Sequence, residues 1–390
     1  MSNLIDSSYI AFINNNIADN YNELNFFIPT KLIKDKKIIT INNRRYQNKI
    51  IDYISLIKII ACLSVIILHT NGKFWNFSYD NYKQYWISAN LIECIFYFAV
   101  PFFILCIGAT LMDFNEKYGL IIYFKRRIKK VVIPLLCWNI IVYYYNVYLI
   151  KVYQKETITF VNLWNLFFYC KLNPIFSSIH NFIIIYMIIP LLAFVEKAKK
   201  LKIYSYCFLT LLITQVIIPY LIKVYQSKMV WIYNINVDNL IYIFAGYIIQ
   251  NYNFSKSNRL KIYFLGIMCF FIHFYGTQIL TLKYGKIIRL HKGYRNLPCV
   301  IYSCSLFLLI KENCHFLFRI INKNYINKIG TLTFGPFFLH MIVKNTYDKY
   351  FKPNRLSLIY RLFGGIANFF ICLIVTYILK KIPLGNYLVP

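Results

Sequence analysis

The stretch that decides the fold is Tyr53-Ile-Ser-Leu-Ile-Lys-Ile-Ile-Ala-Cys-Leu-Ser-Val-Ile-Ile-Leu-His-Thr70, an apolar segment that contains a lysine and a histidine. Lys58 and His69 are eleven positions apart, and eleven steps of about 100° return to within about 20° of the starting direction. In a helix they therefore share one face, separated by about 16 Å along the axis. Ionisable side chains inside a membrane helix face protein or water and are candidates for function. The alternative is that Lys58 extends to one interface and His69 ends the helix at the other.

The rest of the chain has the composition of a membrane protein. Hydrophobic residues make up 59% of the 390 residues, more than one soluble domain of this length can bury. Apolar stretches of about 17–25 residues are long enough to cross a bilayer as helices. The predicted fold is therefore all-α and polytopic, with about ten transmembrane helices. These lie at 51–70, 88–112, 131–150, 175–195, 203–222, 232–250, 260–281, 296–311, 326–344 and 358–380.

The basic residues predict how the chain is oriented in the membrane. Net charge is +30, but in a membrane protein Lys and Arg act first as topology signals, so nucleic-acid binding is not expected. They cluster before the first predicted span and after every even-numbered one. Both termini are therefore predicted to lie in the cytoplasm, with the helices in an inner membrane. One predicted outer loop, 282–295, is also basic, either through general enrichment in Lys or as a patch for phosphate or an acidic sugar.

Three segments are predicted along the chain. Residues 1–50 are polar and lack the features of a signal peptide, so we expect a cytoplasmic segment with little fixed structure. Residues 51–382 form the membrane domain, and 383–390 form a short tail. The eleven cysteines include no C-x-x-C pair, so neither a metal site nor a disulfide framework is indicated.

Four sequence motifs follow the first predicted span in a recognisable order. They are Phe98-Ala-Val-Pro-Phe-Phe-Ile-Leu-Cys-Ile-Gly-Ala109, Tyr123-Phe-Lys-Arg-Arg-Ile-Lys-Lys-Val-Val-Ile-Pro134, Tyr242-Ile-Phe-Ala-Gly-Tyr247 and Ile329-Gly-Thr-Leu-Thr-Phe-Gly-Pro-Phe-Phe-Leu-His340. Together with the pattern of Lys, ten residues and His in the first span, this order resembles the acyltransferase 3 family. Its members are membrane-bound enzymes that O-acylate carbohydrates and lipids. The resemblance covers about residues 51–380 and implies a ten-helix fold.

The resemblance also implies roles for individual residues. His69 is the expected general base, because an imidazole with a pKa near 6.5 is largely neutral at pH 7 and can accept the proton of an attacking hydroxyl. Lys58 would bind the donor or support the site electrostatically. Arg126, Arg127 and Lys130 would bind the phosphates of a cytoplasmic acyl-CoA, with acetyl-CoA as the expected co-substrate; the alternative is that they only set topology. No tightly bound cofactor and no metal are expected.

Three further residues are candidates for the site. Glu93 is predicted at the depth of His69 and could orient its imidazole; the alternative is a carboxylate favoured by a helix N-terminus. His340 matches a histidine of the family, and Asp238 begins the sixth predicted span. Both are predicted to line a cavity for the acceptor, although buried histidines are more often packed and hydrogen-bonded. The expected acceptor is a hydroxyl of a cell-surface or lipid-linked carbohydrate, and membrane lipids surround the protein.

The chain also departs from the family pattern. Ser55 stands where Asp is common, Tyr97 where Arg is common and Ile107 where Ser is common. A divergent enzyme and an inactive relative are both compatible with these changes. Other classes of function are a transporter or flippase for lipid-linked saccharide, with charges along its path, and a polysaccharide polymerase. The sequence has no internal repeat, which argues against the first, and no long outer loop, which argues against the second.

Overall fold

A computed structural model of the protein describes residues 52–151, 176–225 and 239–390. Asp238 and residues 1–50 lie outside these ranges. Residues Tyr53–Pro390 belong to one compact unit. Within the described ranges the chain is helical and contains no strand. The helices are α1 (Asp52–Thr70), α2 (Ile87–Phe96), α3 (Ala99–Leu111), α4 (Leu120–Arg127), α5 (Ile133–Tyr144), α6 (Phe176–Ala193), α7 (Lys197–Leu211), α8 (Ile218–Val224), α9 (Leu240–Asn251), α10 (Lys256–Tyr284), α11 (Leu297–Ile320), α12 (Lys323–Leu332), α13 (Phe334–Phe351), α14 (Gly365–Lys381) and α15 (Gly385–Leu388).

Several helical stretches have the length and composition of membrane spans. In the described ranges seven continuous stretches qualify, namely Asp52–Thr70, Tyr82–Glu116, Leu120–Ile150, Lys197–Val224, Lys256–Tyr284, Leu297–Ile320 and Tyr360–Lys381. Two apolar stretches are shorter, Ile179–Ala193 within α6 and Leu240–Asn251 in α9. In the described ranges the stretches predicted from hydropathy coincide largely with helix, although 326–344 is divided between α12 and α13 at Thr333. The helical membrane architecture agrees with the prediction, whereas the count of ten spans and the side of each terminus stay predictions.

Two glycines allow α3 and α9 to cross closely. A Cβ atom added to Gly108 would lie 2.0 Å from the carbonyl oxygen of Ile243. One added to Gly246 would lie 2.1 Å from the carbonyl oxygen of Leu105. Small residues at such crossings allow backbones to approach in a membrane, where packing rather than water exclusion joins helices. Any side chain at either glycine would push the two helices apart.

Helix α1 is held by close contacts with α12 and α14. A Cβ atom at Gly330 of α12 would lie 2.7 Å from the Cβ of Ser55, and one at Gly365 of α14 would lie 3.0 Å from the Cα of Ile67. The apolar side chains between α1 and α14 form one cluster, which comprises Cys62, Ile66, Phe369 and Leu373. The end of α1 that carries His69 is therefore fixed against the start of α14.

The residues predicted as a short tail pack against the helical domain. The indole Nε1 of Trp138 on α5 donates a hydrogen bond of 2.9 Å to the carbonyl oxygen of Leu388. Val389 is buried and belongs to the same apolar cluster as Trp138. Helix α15 is thus part of the packed structure.

Candidate functional site

Two histidines meet where the end of α1 approaches the start of α13. The ring centroids of His69 and His340 are 5.2 Å apart, with an angle of 37° between the ring planes. His340 is fully buried. Its backbone carbonyl accepts a hydrogen bond of 3.0 Å from Asn368 Nδ2 on α14. The structure therefore brings the predicted base and a predicted acceptor-cavity residue into one site, which we call the histidine pair.

The protonation of the His340 ring follows from its hydrogen bond to the backbone of its own helix. Its Nδ1 lies 2.9 Å from the carbonyl oxygen of Pro336. Because a carbonyl only accepts, Nδ1 carries the hydrogen and donates it, which leaves Nε2 with a free lone pair in the neutral ring. Nε2 is buried and has no hydrogen-bond partner among the residues that the structure describes. A buried acceptor without a partner is uncommon and indicates a place for a ligand group or water.

Two charged residues continue the face of α13 that carries His340. Lys344 follows one turn later and Asp348 after another turn, and their side chains form a hydrogen-bonded ion pair of 3.0 Å. Lys344 interacts electrostatically with both imidazoles of the histidine pair. These two residues were missed in the sequence. The spacing of four residues from His340 was the available signal, since such residues share one helix face.

A buried arginine holds the chain just beyond the end of α1. Arg361 donates from Nη1 to the Oδ1 of Asn71 at 3.3 Å and from Nη2 to the Oγ of Ser88 at 2.6 Å. Asn71 lies two residues after His69, and Ser88 lies on α2. The guanidinium thus connects α2 to the chain just beyond His69, which restricts the position of the imidazole.

Glu93 lies in a buried cluster close to the end of α1. Its carboxylate accepts a hydrogen bond of 3.4 Å from Asn71 Nδ2 and interacts electrostatically with Lys292 and Arg289. Glu93 is 3% exposed and Lys292 is 1% exposed. Glu93 is thus bonded to Asn71, two residues after His69, and its role in orienting the imidazole stays a prediction.

The basic loop is partly internal. The ammonium of Lys292 lies over the ring of Phe74, at 4.1 Å from its centroid, and 5.0 Å from the ring of Tyr97. The guanidinium of Arg289 lies 5.1 Å from the ring of Trp75. At least these two cations of residues 282–295 are engaged with the protein itself.

The predicted donor residues come together at the other end of α1. Arg127 packs over Tyr123 and Tyr186, at 5.6 and 5.3 Å from their ring centroids, while its Nε is buried without a hydrogen-bond partner in the described part of the chain. Lys130 interacts electrostatically with four other cations. We call these five residues the cationic cluster: Lys58, Arg126, Arg127, Lys130 and Lys380. It is separated from His69 by about 16 Å of helix.

No metal site accompanies these groups in residues 52–151, 176–225 and 239–390, where no three His, Cys, Asp or Glu side chains form a cluster able to hold an ion. Asp238, the second predicted acceptor-cavity residue, lies outside the described residues.

An all-helical domain with several membrane-spanning helices, a histidine pair at one end of α1 and a cationic cluster at the other defines a class: polytopic membrane proteins with an internal polar site. The model of the acyltransferase 3 family, described as an acyltransferase domain, matches residues 51–378. The chain therefore belongs to this family, which confirms the resemblance found in the sequence. No curated protein and no solved structure matches the chain.

Proposed function

We propose that the protein transfers an acetyl group from cytoplasmic acetyl-CoA to a hydroxyl of a cell-surface or lipid-linked carbohydrate, in the bacterial inner membrane. Membership of the family supports acyl transfer in general. The observation that carries the proposal is the histidine pair, in which the ring of His69 lies 5.2 Å from the ring of a buried His340 whose Nε2 has no partner among the described residues.

His69 acts as general base in the proposed reaction. It accepts the proton of the acceptor hydroxyl as the oxygen attacks the carbonyl carbon of the thioester. The tetrahedral intermediate then collapses, the carbon–sulfur bond breaks, and the leaving thiolate takes the proton from His69. His340 lines the acceptor cavity, where its Nε2 accepts a hydrogen bond from a hydroxyl of the carbohydrate.

The cationic cluster binds the donor in this proposal. Guanidinium and ammonium groups bind phosphate strongly, and Arg does so with two parallel hydrogen bonds. Lys58 lies in the cluster and His69 at the far end of the same helix, so α1 connects the donor phosphates to the reacting centre. The thioester of the bound donor must therefore lie about 16 Å along this helix from the phosphates, beside His69.

The test uses radiolabelled acetyl-CoA and membranes that contain the protein. Transfer of label to glycan is expected with the unchanged protein, and a fall of about 10²-fold or more is expected with His69→Ala, since general base catalysis contributes about 10²–10⁴-fold. His315→Ala is the matched control, because His315 is exposed and bonds only within its own helix, to the carbonyl oxygen of Glu312. Unchanged glycan acylation in a strain without the gene would refute the proposal.

A further inference from the structure

We propose that Lys344 is a second catalytic residue, which donates a hydrogen bond to the oxyanion of the tetrahedral intermediate, and that Asp348 is a positioning residue that holds it. This inference rests on the proposed acyl transfer. It deepens that proposal by assigning the group that stabilises negative charge.

The geometry of α13 places Lys344 beside the histidine pair. Side chains four residues apart on a helix lie on the same face, with Cβ atoms about 5–6 Å apart. His340, Lys344 and Asp348 follow one another at this spacing. Because the rings of His340 and His69 are 5.2 Å apart, Lys344 lies one helical turn from the site where His69 acts. Its electrostatic interaction with both rings agrees with this placement.

Asp348 limits the positions that Lys344 can take. The side chain of Asp348 is 2% exposed and that of Lys344 is 16% exposed. The carboxylate Oδ2 contacts Lys344 Nζ at 3.0 Å and Arg355 Nε at 3.2 Å, and Oδ1 accepts a hydrogen bond from the hydroxyl of Tyr360. A lysine side chain loses much rotamer freedom when it is fixed, and a buried partner of this kind holds the ammonium in place.

The side chains around Asp348 carry a net positive charge, which favours the binding of an anion. Lys344 and Arg355 supply two positive charges against the one negative charge of Asp348, and Tyr360 adds none at neutral pH. The two cations are not equivalent, because the side chain of Arg355 is half exposed while that of Lys344 is nearly buried. Charge that develops in a site with little water is stabilised far more by a fixed cation than it would be in solution. Lys344 is therefore the cation suited to a developing oxyanion.

The role of Lys344 fits the electron and proton balance of the reaction. When the acceptor oxygen attacks, the π electrons of the thioester carbonyl move to its oxygen, and His69 takes the hydroxyl proton. Lys344 keeps its proton and donates a hydrogen bond to the oxyanion. When the carbonyl forms again, the carbon–sulfur bond breaks and the thiolate takes the proton from His69, so no other reactant is needed.

The experiment measures kcat and KM for acetyl-CoA in proteoliposomes of the full chain. Radiolabelled acetyl-CoA is the donor, and a glycan fraction extracted from a strain without the gene is the acceptor. We expect Lys344→Met to lower kcat by about 10²–10³-fold, as the loss of one oxyanion donor does, with little change in KM. Lys344→Arg, which keeps the charge, is expected to recover part of the rate. Lys349→Met is the matched control, because Lys349 lies on the same helix but is exposed.

The Asp348→Asn variant tests the positioning role. We expect a smaller fall in kcat, and no further fall when Asp348→Asn is added to Lys344→Met, because the two residues act as a unit. Rates are taken per folded protein, measured by thermal unfolding and size-exclusion chromatography. A loss of rate that matches loss of folded protein and is not restored by Lys344→Arg would overturn the inference.

Failure of the inference differs from failure of the proposed function. If Lys344→Met transfers label at the unchanged rate while His69→Ala is inactive, the inference is wrong and the acyl-transfer proposal stands. If the unchanged protein transfers no label, both are wrong.

Discussion

At the scale of single residues, the centre of the candidate site is the contact between His69 on α1 and His340 on α13. His69 and His340 were each predicted from a motif, whereas their contact required the packing of α1 against α13. Lys344 could have been predicted from its spacing to His340. The burial of Lys292 could not, because a cation in a basic loop gives no sign that aromatic rings will enclose it. Such burial depends on contacts between parts of the chain that are distant in sequence.

The contacts of Glu93 lead to a prediction about stability. Glu93→Gln removes the negative charge that faces the buried Lys292. A buried polar group without its partner costs about 1–3 kcal/mol, so the variant should unfold at a lower temperature. The double variant Glu93→Gln, Lys292→Met should regain part of that loss, because it no longer leaves a buried cation unbalanced. Thermal unfolding in detergent measures both effects.

The same variant separates the two interpretations of Glu93. If Glu93 braces the structure through Asn71, the folded fraction of Glu93→Gln keeps most of its transfer activity. Unchanged thermal stability together with lost transfer would instead assign Glu93 a direct part in the reaction, as the sequence suggested.

At the scale of helices, hydropathy predicted where the helices lie better than how they are divided. The stretch 326–344 was predicted as one span, yet it is two helices that meet at Thr333. A hydropathy window averages over a break of this kind, whereas Pro336 in the first turn of α13 was the available signal, since proline is tolerated at the start of a helix and not inside it. The division matters for the site, since α13 begins at Phe334 and so carries His340 in its second turn.

The close crossing of α3 and α9 gives a prediction for this scale. Gly108→Ala would place a methyl group against the carbonyl oxygen of Ile243. Overpacking of this kind costs about 1–3 kcal/mol or more, which corresponds to a fall of about 5 °C in Tm. Gly119→Ala is the control, because nothing lies within 4 Å of its added Cβ. Equal Tm values for the two variants would contradict the prediction, because they would show that α3 and α9 move apart without loss of stability.

At the scale of the whole molecule, the net charge of +30 has two roles in our proposal: it sets the topology and it binds the donor. The sequence predicted that Arg126, Arg127 and Lys130 act together, and the structure adds Lys58 and Lys380 to the same group. The addition of Lys380 was not predictable from spacing, because it lies on α14, far along the chain from the others. The cationic cluster therefore combines residues from distant segments.

The cationic cluster yields a prediction for donor binding. The double variant Arg127→Gln, Lys130→Gln should raise KM for acetyl-CoA by about tenfold or more, because a hydrogen bond to a charged group is worth about 1.5–3 kcal/mol. The effect should shrink as salt concentration rises. Lys202→Gln is the control, because Lys202 is exposed on α7, outside the cluster. An equal KM in both variants would argue that the cluster only sets topology.

The hydrogen bond from His340 to Pro336 has one more consequence. It fixes a single tautomer in the resting protein, so its two ring nitrogens should give distinct nitrogen NMR signals, one of pyrrole type and one of pyridine type. A hydroxyl that binds at Nε2 would shift only the second signal. His340 is thus a built-in spectroscopic reporter, able to register the arrival of an acceptor in samples that contain no donor and undergo no turnover.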